Sequence, residues 1–144
     1  MSTKPVDALT ANHFYIEMAG LVSPHFQKIE GISKKSGEVV IIDGSTNTKH
    51  KFSDQLKEVG DITLTRVYDG SVDDITMRLL VEQCLNEGFR FDINMVKMHN
   101  GQEAFRIIIL GMRIKEVQHP NYDTGSTERL EVKYVCSVSD YVEA

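Results

Sequence analysis

The chain is short of several things that would have given it an easy identity. It has only two cysteines, Cys84 and Cys136, far apart and without CxxC spacing, so no paired-thiol motif is present. Two readings of them stand open: buried reduced thiols acting as small hydrophobes, or a disulfide, including one between subunits. No apolar run approaches the roughly 20 residues that a membrane-spanning helix needs. The opening Met1-Ser2-Thr3-Lys4-Pro5 lacks the basic-then-apolar layout of a signal peptide. Basic residues are also scarce: sixteen stand against twenty-one acidic ones, for a net charge of -5. A protein that grips nucleic acid by its phosphates usually shows the opposite balance, so tight DNA binding is not expected; passive contact with DNA is compatible with it.

Motifs for chemistry are equally sparse. Walker A, GxGxxG and GxSxG patterns are absent, and the five histidines (13, 25, 50, 99 and 119) show neither HxH nor HExxH spacing. Asp123-Thr124-Gly125 matches the short motif of aspartic proteases, which place it after an apolar strand and bring two copies together to share a proton. In this chain it follows Pro120-Asn121-Tyr122 in a segment rich in turn formers, and it reads as a turn. Lys49-His50-Lys51 is a brief basic cluster, better suited to a solvated or subunit-facing loop than to a phosphate contact. No catalytic residue, metal ligand or cofactor site emerges, and the chain does not read as an enzyme.

What is present is one folded domain. The 144 residues are 41% hydrophobic and 26% charged, enough for a sizeable core. The most ordered pattern runs from Phe89 to Gln118. Its first arm, Phe89-Arg90-Phe91-Asp92-Ile93-Asn94-Met95, alternates apolar and polar residues with the period of a half-buried strand. Asn100-Gly101 suits a type I′ turn, so the second arm from Glu103 folds back antiparallel. That arm could cover roughly 50 Å at about 3.3 Å per residue, and so much edge needs a cover. The expected cover is another copy of the chain.

The rest follows in order. Residues 1–12 read as an extended arm that needs a partner surface. Phe14, Ile16 and Met18 mark a first strand, Phe26 to Ile32 a second, and Glu38 to Ile42 a third, with a turn at Ser36-Gly37 making the latter two a shorter hairpin. The polar segment 43–58 lacks a clear period and reads as a long loop, functional or ordered by a partner. Ile62, Leu64 and Arg66 begin a fourth strand. Ser71 is placed to cap a helix, with Asp74 reaching back to it, and Gly88 to end that helix. Its apolar residues form two sides: Val72, Ile75 and Leu79 on one, Met77, Leu80, Val81 and Cys84 on the other. One side suits the domain's own sheet, the other a neighbour. Leu130, Val132, Tyr134, Cys136 and Val138 share one face of the last strand. The total predicts about seven strands and one helix: a mainly β (α+β) fold, an antiparallel sandwich or barrel with two long hairpins and one flanking helix.

The order of these elements resembles a known family. Ala11-Asn12-His13-Phe14-Tyr15-Ile16-Glu17 leads to Phe26-Gln27-Lys28-Ile29-Glu30-Gly31-Ile32; then come Gly60-Asp61-Ile62-Thr63-Leu64-Thr65-Arg66, the acidic-capped helix and the long hairpin. Over about residues 11–142 this is similar to the tail tube proteins of contractile-tailed bacteriophages, the T4-type tube family, related to the tubes of R-type pyocins and type VI secretion. The resemblance implies a structural protein whose hairpins join edge to edge into the continuous inner β-barrel of a hexameric ring. Rings stack into a rigid tube that crosses a target envelope without being embedded in it. Implied partners are further copies of the chain, a sheath, baseplate and tail terminator proteins, and phage DNA held transiently and without sequence preference; no small-molecule substrate is implied. The implied location is the virion, after assembly in the host cytoplasm.

Carried onto this chain, the resemblance puts the lumen-lining hairpins at about 26–42 and 89–110. Lys28, Glu30, Arg90, Asp92 and Asn94 are then expected to face the channel, with Phe89, Phe91 and Ile93 in the wall. Pro5, Val6, Leu9, Lys49, His50, Lys51, Phe52, Val72, Ile75 and Leu79 are expected at contacts between subunits or rings, with 43–58 as an inter-ring loop. A tube of a phage-derived injection system that carries no DNA is the alternative. A monomeric β-barrel binding module is the remaining competitor.

Overall fold

The computed structural model describes residues 9–18, 25–43 and 48–144, with the backbone alone described for 37–43 and 48–56. Pro5 and Val6, and most of the predicted arm at 1–12, lie outside the described residues. Nine strands and one helix are found among them: β1 (Phe14–Met18), β2 (Lys28–Glu30), β3 (Lys34–Asp43), β4 (Thr48–Val59), β5 (Ile62–Val67), α1 (Val72–Glu87), β6 (Phe91–His99), β7 (Gln102–Gln118), β8 (Glu131–Ser137) and β9 (Asp140–Glu143).

Strand β7 is the spine. Asn100 and Gly101 take φ of 51° and 76°, the positive pair that a tight turn of this hand demands, and fold β7 back on β6. Its first part pairs with β6 on one edge and β9 on the other, and its last part pairs with β8. The strands β8 and β9 are nearly one strand: Arg113 faces Ser137 and Leu110 faces Asp140, so both follow β7 in one register across a short break. The seven-stranded sheet has the order β1-β6-β7-β8-β5-β2, with β9 beside β7. All its pairings are antiparallel; most strands turn one face to the core, while β5 and β6 are buried on both faces around Leu64–Arg66 and Met95–Lys97.

Period-two alternation fills the inner face. Ile16 and Met18, Ile62 and Leu64, and Val132, Tyr134 and Cys136 are all buried in one cluster. The helix adds Met77, Leu80, Val81 and Cys84 to the same core. It ends at Gly88, whose φ of 68° is the left-handed conformation of a helix C-cap. Both cysteines are free and buried.

Several expectations give way. Most of the segment 43–58, read as a loop, is strand β4 (Thr48–Val59), paired antiparallel with β3. A ladder is made by backbone N–H and C=O groups, so a polar sequence without apolar alternation builds one equally well. No turn forms at Ser36-Gly37; β3 runs through it with an irregularity between Ser36 and Glu38, where β4 spends two residues more than β3. The second hairpin is therefore β3–β4, and the run around Ile29 pairs with β5 instead. Phe89 and Arg90 precede β6, and Phe89 stays 38% exposed with its ring 6.3 Å from that of Phe91. Ser71 makes no side-chain cap; Asp74 turns away from it, drawn by a buried cation. The last strand breaks after Ser137, and β9 is the piece beyond it.

Candidate assembly surfaces

Three surfaces outside the core carry the residues singled out from the sequence. The first is the outer side of α1. Val72, Ile75 and Leu79 are 73%, 50% and 63% exposed, while Met77, Leu80 and Cys84 behind them are buried. An apolar stripe of this exposure is unusual for a free surface. The two-sided helix of the sequence pattern is thus present, with one side unmet.

The second is formed by open edges. Among the described residues β1 pairs only with β6 and β2 only with β5. A groove of about 560 Å³ draws its lining from both ends of the sheet, with Phe14, Ile29, Ile32, Met95 and Phe105 on its walls. Leu9 lies at its rim, 46% exposed. Lys97 is buried beside it, and its ammonium donates to the carbonyl oxygens of Asn12 at 2.5 Å and Met98 at 2.7 Å. The hairpin β3–β4 forms a separate two-stranded sheet. Lys34 ties its base to the main sheet: Nζ donates to the Tyr141 carbonyl at 2.6 Å, lies 2.7 Å from Asp140 Oδ1 and sits over the Tyr141 ring at 4.6 Å. That lysine's hydrogen bond holds the Asp140 carboxyl below its ordinary value. Lys49, His50, Lys51 and Phe52 all fall within β4, where the backbone alone is described.

The third is the set of polar outward positions. Lys28 and Glu30 flank half-buried Ile29 on β2, both exposed and 3.6 Å apart. Asn94 lies on β6, between Glu17 of β1 and Ile108 of β7. Arg90 and Asp92 are exposed, yet both side chains are spoken for by one residue of β7. Arg90 Nη1 donates to the Gly111 carbonyl at 2.7 Å, and Asp92 Oδ1 accepts from the Gly111 N–H at 2.9 Å. The sequence pattern placed these two on the wet side of a strand, but it held no sign of that bond, because Gly111 is nineteen residues away from Asp92. Lys28 and Glu30 sit at one end of the sheet path and Asn94 near the other, on two strands that do not pair.

Sequence reasoning passed over an internal ion pair. Arg66 is 1% exposed on β5, and its Nη1 meets Asp74 Oδ1 in the first turn of α1. Asp74 Oδ2 also accepts from the Gly70 N–H at 2.7 Å. The only available signal was an arginine in an otherwise apolar inward register, Ile62-Leu64-Arg66. Among the described residues no cluster of His, Cys, Asp and Glu is arranged to hold a metal ion, and no helix is long and apolar enough to cross a membrane. Burial pushes the thiols of Cys84 and Cys136 upward, the latter to about 12. Such groups are poor nucleophiles.

No protein-family model matches the sequence, and no curated protein matches it either. Solved structures do match in fold. A chain in the anti-feeding prophage cap, the AFP tube terminating cap, superposes with a TM-score of 0.85 at 12% identity, covering 100% of this chain and 95% of that one. A chain in the sheath-tube complex of an extracellular contractile injection system, PVC, in its extended state, gives 0.80 at 13% identity over 95% and 91%. Hcp1 from Flavobacterium johnsoniae gives 0.58 at 12% identity over 92% and 95%. The chain therefore has the fold of these assemblies' components: a mainly antiparallel β structure with one helix at its side, spanning the whole sequence.

Proposed function

We propose that this chain is the subunit of the inner tube of a contractile injection machine, copies joining into hexameric rings that stack within a sheath. The observation that carries the proposal is fold overlap with a chain of a tube terminating cap and a chain of a sheath-tube complex, over 100% and 95% of this chain. The chain's own surfaces support it. An isolated two-stranded hairpin is marginal in water, so β3–β4 gains from pairing with a second copy. The open edges of β1 and β2 need the same protection, and closing a barrel removes edges altogether. Val72, Ile75 and Leu79 supply an apolar contact, and β4, with Lys49, His50, Lys51 and Phe52, reaches an adjacent ring. Leu9, with Pro5 and Val6 before it, adds an arm.

In this proposal Lys28, Glu30 and Asn94 face the channel, with Arg90 and Asp92 at its margin. Baseplate and terminator proteins cap the two ends. In a phage tail, DNA would pass through without being held, because an acidic chain with few phosphate contacts lets it slide. A second reading is the tube of an injection system without DNA passage; chains of the AFP and PVC assemblies share the fold at TM-scores of 0.85 and 0.80. Electron microscopy of the purified chain at rising concentration tests the tube. Rings or hollow tubes are expected. A monomer that persists to the solubility limit, even with preformed baseplate as a seed, contradicts it.

A further inference from the structure

Strand β7 serves two parts of the sheet and carries three register shifts, opposite Lys97/Met98, opposite Phe91/Ile93 and at Ile114/Glu116; the one where its partners change is built around Gly111 and is expected to bend the strand. Phe91 faces Met112 while Ile93 faces Ile109, so β7 spends one residue more than β6 over this stretch. The surplus falls at Leu110-Gly111, where Gly111 takes φ of 62°. A glycine in the left-handed region at such a point is the G1 form of bulge, which bends its strand and increases its twist. On the other flank β8 and β9 break across the same place, and a Cβ on Gly111 would lie 2.8 Å from Ser139 Cβ.

A bulge leaves a peptide out of the ladder, and orphaned N–H and C=O groups need partners. Side chains provide them. Asp92 Oδ1 accepts from Gly111 N at 2.9 Å, Arg90 Nη1 donates to Gly111 O at 2.7 Å, and Ser139 Oγ donates to the same oxygen at 3.4 Å. Arg90 Nη1 also lies 3.5 Å from Ser139 Oγ. Two opposite charges, Asp92 on β6 and Arg90 just before it, thus grip the backbone N–H and C=O of one residue of β7. The site is not deeply buried: Gly111 is half-buried, Leu110 is 37% exposed, and Arg90 and Asp92 are exposed. Without the grip, water competes for both groups and the surplus residue is free to shift along β7.

We infer that Arg90 and Asp92 form a clasp that fixes the position and angle of the β7 bend, and through it the number of copies that close a ring. The inference rests on the tube reading. Head-to-tail copies close only when each turns the wall by one constant angle; otherwise they build open arcs or rings of mixed size. In this reading the G1 bulge at Gly111, where β7 changes partners, sets that turn, because such a bulge bends its strand. The clasp residues are positioning residues: they act through Gly111.

The test compares the wild-type chain with Asp92→Ala, Arg90→Ala and Asp92→Asn. The last keeps a side-chain oxygen that accepts from the Gly111 N–H. Copies per ring are counted from electron-microscope class averages, and exchange of the Gly111 amide is followed by NMR on the free subunit. The expectation is one ring size for wild type and Asp92→Asn. Asp92→Ala and Arg90→Ala give a spread of sizes or open arcs, and in Asp92→Ala the Gly111 amide exchanges about tenfold faster, the worth of one hydrogen bond to a charged group. Circular dichroism of the free variants matching wild type excludes simple misfolding. A single wild-type ring size from Asp92→Ala overturns the inference, as does unchanged Gly111 exchange. A wild-type chain that forms no ring while its variants show the exchange change sinks the tube reading instead, and leaves the clasp as a monomer feature.

Discussion

The guanidinium of Arg66 and the carboxylate of Asp74 meet inside the subunit, Nη1 on Oδ1, one on the inward side of β5 and the other in the first turn of α1. Their side chains are 1% and 9% exposed, so the pair is shielded from solvent. It joins the sheet to the helix that the proposed neighbour touches. Asp74 also accepts from Gly70 N, Arg66 Nη2 lies 3.6 Å from Asp69 Oδ1, and the guanidinium stands 5.7 Å from the Tyr68 ring centre.

Removing one partner of such a pair strands a buried charge, which typically costs about 3–5 kcal/mol. Asp74→Ala is therefore expected to lower the unfolding free energy of the free subunit by roughly 3 kcal/mol. The double variant Arg66→Met/Asp74→Leu is expected to recover most of it, because the cost lies in the unpaired charge. Urea unfolding of the three proteins checks this. Equal losses in single and double variants would contradict it.

The outer stripe of α1 is expected to behave in the opposite way. Exposed substitutions away from special features usually stay within about ±0.5 kcal/mol. Leu79→Glu and Ile75→Glu should leave the melting temperature of the free subunit nearly unchanged and abolish assembly seen by sedimentation. Normal assembly of both variants would remove the stripe from the interface.

The Cys136 thiol gives a pH signature. Desolvation is the main cause of its rise from the ordinary 9.0 to about 12, with Cys84 and Asp61 adding to it. A group whose folded value is raised keeps its contribution below the unfolded value and loses it as pH climbs through the folded one. Stability should therefore decline between about pH 9 and pH 12, and the decline should be shallower in Cys136→Ala. Buried Tyr134 is raised by desolvation as well and contributes with the same sign, so some slope remains. At pH 8 iodoacetamide should modify neither cysteine until the chain unfolds. Rapid labelling of the native subunit would contradict the buried-thiol account.

Gly111→Ala tests the bend from the backbone side. A left-handed residue with a Cβ costs about 1–2 kcal/mol, and the clash with Ser139 adds to it. A loss of at least about 2 kcal/mol is expected, partly relieved by Ser139→Gly, with both read by thermal unfolding. No loss would mean that the bend tolerates a side chain.

The sequence was most legible where burial writes a period. Asn100-Gly101, the alternation through β6 and β8, the two-sided helix and its stop at Gly88 all appear where the pattern puts them. It was least legible where backbone alone decides. The polar run 48–59 makes a twelve-residue strand because its partner β3 supplies the hydrogen bonds. Arg66 looked like one more residue in an alternating strand; its charge is tolerable only because Asp74 arrives from the next element. Arg90 and Asp92 read correctly as exposed, but their hold on Gly111 depends on a bulge that no local spacing encodes. Surfaces that the proposal assigns to other copies leave the weakest trace, since a single chain would carry half of each contact.

Whether copies of this chain complete one another's edges is read from hydrogen exchange of β3–β4. Deuterium uptake of Lys34–Asp43 and Thr48–Val59 would be compared between free subunit and pelleted assembly by mass spectrometry. The account predicts fast exchange in the free subunit and strong protection in the assembly, with the edges of β1 and β2 protected alongside. An assembly whose hairpin exchanges as fast as in the free subunit would contradict it.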